Sequence, residues 1–123
     1  MIIVDTSVWI EFLKGKDSDI LNNFLVLLKK REVMAVSPVF GELLQGAKKE
    51  KERKIISGFW QNLPKTDEEN AFIKAGELSY QQKLNDKGIG LIDAYILAVA
   101  LENDFSVWTL DKKLQRAIDE IVF

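Results

Sequence analysis

The chain contains no cysteine and no histidine among its 123 residues. The first absence excludes disulfides, thiolate metal sites and cysteine nucleophiles. The second removes the commonest general base and the commonest metal-ligating side chain. Any catalysis must therefore run on carboxylates, hydroxyls, amines or a bound hard cation. Proline is scarce, with only Pro38 and Pro64, and no Pro- or Gly-rich linker divides the chain. No apolar run is long enough to span a bilayer. The N-terminus lacks the basic segment, apolar stretch and cleavage site of a signal peptide. The expectation is a soluble cytoplasmic protein with no membrane partner. A formal net charge of −2 shows no basic excess that would advertise nucleic-acid binding, although a local patch can outweigh the sum. The length suits one domain, residues 1–123, with a core that needs no staples.

What is present is an alternation of short apolar runs with amphipathic stretches. Ile2 to Val4 is β-branched and continuous, as a buried parallel strand is. "SVWIEFLKG" reads as a short helix closing at Gly15. "DSDILNNFLVLLKKRE" carries acids at its start and bases at its end, as a helix dipole prefers, with Ile20, Leu21, Phe24, Leu25, Leu27 and Leu28 on one face. "VMAVS" is a second strand, and Pro38 suits the first turn of the helix "VFGELLQGA". "KKEKERKIISGFWQNL" is a further helix with Ile55, Ile56, Phe59 and Trp60 on one side. A brief third strand is expected around Leu63. Thr66 and Glu69 form a capping-box pattern for a helix to about Asp86. "LIDAYILAVALEN" is apolar nearly all round and therefore central. "FSVWTL" is a fourth strand, "DKKLQRAI" a short helix and "EIVF" a candidate last strand. Strands alternating with helices predict an α/β fold: a central parallel sheet of four to five strands flanked by helices.

Four acids fall at telling places on that plan. Asp5 ends the first strand and Asp111 follows the fourth. Glu42 lies in the first turns of the helix after strand two, and Asp93 near the start of the central helix. In a right-handed βαβ unit, helix N-termini share an edge with strand C-termini. That edge is where open parallel sheets bind ligands. Crowded carboxylates raise each other's pKa, so they either take up protons or hold a cation. Oxygen-only ligands select a hard ion such as Mg²⁺ or Mn²⁺. Such an ion can activate water against a phosphodiester and stabilise the developing charge, without histidine. Each acid also has a plainer reading: Asp5 or Asp111 as a helix N-cap, Asp93 as a dipole complement, Glu42 as a surface residue. Asp67, Glu68 and Glu69 are assigned to caps and solvated faces.

These acids in this order resemble those of the PIN-domain ribonucleases, and most of all the VapC-type toxins of toxin–antitoxin systems. The residues carrying the resemblance are "IIVDTSVWIEFLKG", "SPVFGELLQGA", "GLIDAYILAVALEND" and "VWTLDKKLQ", so it covers nearly the whole chain. It implies a single PIN-like domain and an endoribonuclease that cleaves single-stranded regions of structured RNA with Mg²⁺ or Mn²⁺. It further implies Asp5, Asp93 and Asp111 as direct metal ligands, with Glu42 binding through water or aiding the attacking water. Thr6 and Thr109 match hydroxyl positions that support the acids. Strand alternation puts Thr109 on the side of Asp111, compatible with such a supporting role. Where the family often carries a further Asp, Asn or His two residues after the last acid, this chain has Lys113, so a fifth ligand is not carried over. A cognate antitoxin and a homodimer are implied by the resemblance alone.

An acidic site needs flanking cations to hold phosphates. Lys87, Lys112 and Lys113 fall near the expected rim and are candidate RNA contacts. The run "KKEKERK" reads instead as a solvated helix face with i,i+4 ion pairs. Trp9, Phe12 and Leu13 sit on the short helix near Asp5, either as core or as part of a groove for an antitoxin helix. Trp60 and Trp108 read as core. Rival functions are a catalytically silent binding module of the same fold and a Mg²⁺-binding phosphate-receiver domain. The second expects adjacent acids after strand one, where Thr6 stands. A haloacid-dehalogenase-type phosphatase expects D-x-D there, and position 7 is Ser.

Overall fold

A computed structural model describes residues 1–121. The elements alternate as expected. β1 (Ile2–Val4), α1 (Thr6–Lys14) and α2 (Ser18–Lys29) come first, then β2 (Val33–Met34), α3 (Ser37–Gly46) and α4 (Glu50–Asn62). α5 (Ala71–Gln82), a 3₁₀ turn (Asn85–Lys87), α6 (Leu91–Asn103), β3 (Ser106–Trp108) and α7 (Lys112–Glu120) complete the described chain. The strands pair in parallel in the order β2-β1-β3, with Ile3 opposite Met34 and Val107.

The sheet is smaller than the expected four to five strands: it has three among the described residues. The segment near Leu63 contributes only an isolated parallel bridge between Ala35 and Lys65. The reason is local: Leu63 ends α4, Pro64 has no N–H to give a ladder, and its carbonyl accepts from the Ala35 N–H. The expected strand over 120–123 meets a helix that runs to Glu120, and residues 122 and 123 lie outside the described residues.

Local chemistry explains most helix ends. Gly15 closes α1 at φ 67°, a left-handed geometry that suits glycine. Asp17 caps α2 through the N–H groups of Asp19 and Ile20. Pro38 occupies the first turn of α3. The Thr66–Glu69 capping box does not form. Thr66 bonds Asn103 instead, α5 begins at Ala71 with Asn70 left-handed before it, and it ends at Gln82 rather than near Asp86. Glu68 reaches across the fold: its carboxylate accepts from the Ser37 N–H at 3.0 Å and from the Tyr95 hydroxyl at 2.6 Å. It thereby caps α3 from a distant loop and ties it to α6.

α6 is the central helix, with every residue from Ala94 to Ala100 buried, as its apolar sequence requires. An aromatic cluster joins α1, α2, α3 and α4. Trp9 stands edge-on to Phe24, Phe40 and Phe59 at centroid separations of 4.6–5.2 Å, and Phe12 stacks on Phe24. Trp9 and Phe12 are therefore core. Trp60 and Trp108 are only partly buried at its margin.

Candidate functional site

All three strands end toward the segments that carry the acids. Asp5 follows β1 directly, and its N–H bonds the carbonyl of Trp108, the last residue of β3. It is only 5% exposed; it and Thr109, at 8%, are the buried polar or charged residues among those described. Burying a carboxylate without partners is costly, and here each oxygen is engaged. Oδ1 accepts from the Thr6 N–H at 2.7 Å. Oδ2 accepts from the hydroxyls of Ser7 at 2.9 Å and Thr109 at 2.7 Å.

Each of those hydroxyls is itself oriented by the backbone. Ser7 Oγ accepts from the Leu110 N–H and Thr109 Oγ1 from the Asp111 N–H. Their single protons are thus directed at Asp5. The turn after β3 is stitched to the turn after β1 through two hydroxyls. Thr109 links the Asp5 carboxylate to the Asp111 N–H. Thr6 serves a different acid with its side chain: its hydroxyl donates to Glu42 Oε1 at 2.8 Å, joining the start of α1 to exposed Glu42 on α3. Ser7 was missed by the sequence reading, although a hydroxyl two residues past a strand-ending acid is a usable signal.

Asp111 caps α7, with Oδ1 accepting from the N–H groups of Lys113 and Leu114. Asp5 likewise caps α1. The plain and the chemical readings of these two acids are therefore compatible. Asp93, in the first turn of α6, forms no hydrogen bond or ion pair among the described residues. Its carboxyl is pushed up from 3.8 to about 6, first by burial and then by the negative charges of Asp5, Asp111 and Glu42. The four acids, spread over 107 positions of sequence from 5 to 111, thus share one electrostatic neighbourhood.

No Lys or Arg among the described residues pairs with any of the four; the ion pairs are Lys14–Glu11, Arg53–Glu50, Lys74–Glu102 and Lys87–Glu120. Four converging carboxylates without a protein cation are a donor set that fits a hard divalent ion. Among the described residues no three of them stand close enough to enclose an ion unaided.

The cations distribute unevenly. Lys87 and Lys113 line one small cleft together with Arg116, which the sequence reading did not single out. Lys112 is exposed and lies outside that cleft. The "KKEKERK" run is a solvated face as expected, although its ion pair, Arg53–Glu50, is i,i+3 rather than i,i+4. An apolar cleft of about 440 Å³ lies between α1, α3 and α4, lined by Ile10, Leu13, Leu43, Ala47 and Ile55, with Glu42 at its rim. Of the three residues proposed for a groove, only Leu13 faces it. Among the described residues no helix is long and apolar enough to cross a membrane.

Residues 2–120 match the PIN domain family. Two curated relatives named Ribonuclease VapC32, from Mycobacterium tuberculosis strains CDC 1551 / Oshkosh and ATCC 25618 / H37Rv, are each 33% identical over 124 residues. The match spans 98% of this chain and 92% of each relative.

Proposed function

The chain belongs to the PIN-domain family, and from that premise we propose that it is a VapC-type endoribonuclease toxin that hydrolyses RNA with Mg²⁺ or Mn²⁺. The observation that carries this reading is the gathering of Asp5, Glu42 and Asp111 around Asp93, with no ion pair to a Lys or Arg among the described residues, at the C-terminal edge of the sheet. Asp5, Asp93 and Asp111 would hold the ion, and Glu42 would act at its edge. The bound cation supplies neutralisation of the acids, polarisation of the scissile phosphate and a more acidic water.

The chain's own residues supply the rest. Ser7 and Thr109 fix the orientation of Asp5, which costs no reorganisation when substrate arrives. Thr6 holds Glu42 by one oxygen, leaving the other to orient the attacking water and accept its proton. Water adds to phosphorus as Glu42 takes its proton, the P–O3′ bond breaks and the leaving 3′-oxygen takes a proton from solvent, so the products carry a 5′-phosphate and a 3′-hydroxyl. With no histidine, cyclisation through the 2′-hydroxyl lacks its usual acid–base pair. A cognate antitoxin, a homodimer and a cytoplasmic location belong to the same proposal, by analogy with the VapC relatives.

The test compares wild type with Asp5→Asn on total cellular RNA, with Mg²⁺, with Mn²⁺ and with chelator. Metal-dependent cleavage that leaves 5′-phosphate ends and disappears in the variant supports the reading. Products ending in 2′,3′-cyclic phosphate overturn the mechanism. A folded, partner-free wild type that neither cuts RNA nor binds either metal is a silent binding module.

A further inference from the structure

We propose that the cleft of Lys87, Lys113 and Arg116 is a phosphate-holding subsite for the RNA strand beside the scissile bond; the inference rests on the nuclease reading above. The cleft encloses about 220 Å³, with Ala117 and Glu120 completing its wall. Lys113, Arg116, Ala117 and Glu120 recur at i, i+3, i+4 and i+7, one face of α7. Lys87 reaches that face from the 3₁₀ turn, with its Nζ 3.1 Å from Glu120 Oε2.

The geometry is organised rather than a scatter of surface charge. Gly88 adopts φ +77°, and a Cβ there would stand 3.3 Å from Lys113 Nζ and 3.4 Å from its Cδ. Glycine thus serves the turn and also leaves room for the Lys113 stem to lie across it. Lys113 and Arg116 form no ion pair among the described residues. Three cations against one acid make a local positive surplus in a chain whose net charge is −2.

Position decides what the surplus is for. α7 begins immediately after Asp111, and the Gly88–Gly90 turn leads into α6 and Asp93. Asp111 thus stands two residues before Lys113, and Asp93 six residues after Lys87, so each segment of the cleft is joined by a short stretch of chain to one of the four acids. A polyanion approaching that acidic cluster is repelled by it, and a cationic anchor beside it offsets the repulsion. Arg116 offers a planar fork that matches two phosphate oxygens, and Lys113 a compact charge. Ala117 leaves the floor small.

The test measures binding of a fluorescein-labelled, mixed-sequence 12-nucleotide single-stranded RNA over a salt series with Mg²⁺ present. The parent carries Asp111→Asn, which blocks cleavage and keeps the amide oxygen that caps α7. Adding Lys113→Ala and Arg116→Ala is expected to lower the slope of log K against log salt by about 1.4, at about 0.7 per single-strand phosphate contact. Adding Lys51→Ala and Lys54→Ala on α4 makes the same charge change elsewhere and should leave the slope unaltered. With Asp111 restored, the cleft variant should raise KM about tenfold on an RNA the wild type cuts, with kcat within about twofold. Equal slopes for cleft and α4 variants, with the parent binding RNA, overturn the subsite and leave the nuclease reading intact. A parent that binds no RNA, together with a wild type that cuts none, overturns both.

Discussion

Asp93 is held in its charged form against a cost, and replacing it with asparagine should make the folded protein more stable at neutral pH. The carboxyl forms no hydrogen bond or ion pair among the described residues, so the substitution breaks none, and the amide is nearly isosteric. Folded Asp93 titrates near 6, against an ordinary value of 3.8. At about 1.36 kcal/mol per pH unit this sets a ceiling of about 3 kcal/mol. The side chain is only half-buried, and solvent screening reduces the expected gain to about 1–2 kcal/mol. Because the folded pKa is raised, the stabilising contribution of Asp93 is fully present below 3.8 and is lost as pH rises through about 6. Asp93→Asn removes that loss. Urea unfolding in chelator at pH 7.5 should therefore move the midpoint up by about 0.5–1 M for a slope near 2 kcal/mol/M. At pH 4.5 the gap should shrink by about half or more. Mg²⁺ should narrow it from the other side, since it stabilises the form that binds it. A variant that is less stable at pH 7.5, or a gap that does not change with pH, refutes the cost of a charged Asp93, which comes from burial first and from the neighbouring acids second.

Thr109→Val deletes a buried hydroxyl that bridges Asp5 and the Asp111 N–H; it should cost about 1–3 kcal/mol by denaturant unfolding and lower RNA cleavage at saturating metal. Asp111→Asn and Asp111→Ala should both abolish cleavage, but only the alanine variant should lose the α7 cap, about 1 kcal/mol, as read by thermal unfolding in chelator. Tyr95→Phe removes one of the bonds that hold Glu68 while Ser37 retains the others, so a loss of about 0.5–1.5 kcal/mol is expected. The Tyr95 phenol is pushed up from 10.0 to about 12, chiefly by burial, so that loss should be the same at pH 6 and pH 8 and smaller by about 0.4 kcal/mol at pH 10, where the unfolded tyrosine is half ionised.

The sequence by itself determined the features that depend on near neighbours. A β-branched run reads as a strand, the acids at Asp5 and Asp111 cap the helices that follow, Gly15 takes a left-handed stop and Pro38 a helix start. An all-apolar stretch has nowhere to go but the centre, which placed α6 and with it Asp93. The absence of histidine and cysteine limits the chemistry to oxygen and amine side chains. The parallel α/β order then brought Asp5, Glu42, Asp93 and Asp111 to one edge.

Only the tertiary structure decided which group serves which. Thr6 and Ser7 are adjacent hydroxyls, yet the first donates to Glu42 and the second to Asp5. Thr109 meets Asp5 across 104 positions of sequence. The Thr66–Glu69 pattern is a valid local cap, but Thr66 bonds Asn103 and Glu68 serves Ser37 and Tyr95 instead. The cleft of Lys87, Lys113 and Arg116 exists because the Gly88 turn lies against one face of α7. Propensity and capping energies act over a few residues. Which distant partner satisfies a buried polar group depends on how the layers pack, and that information is spread over the whole chain.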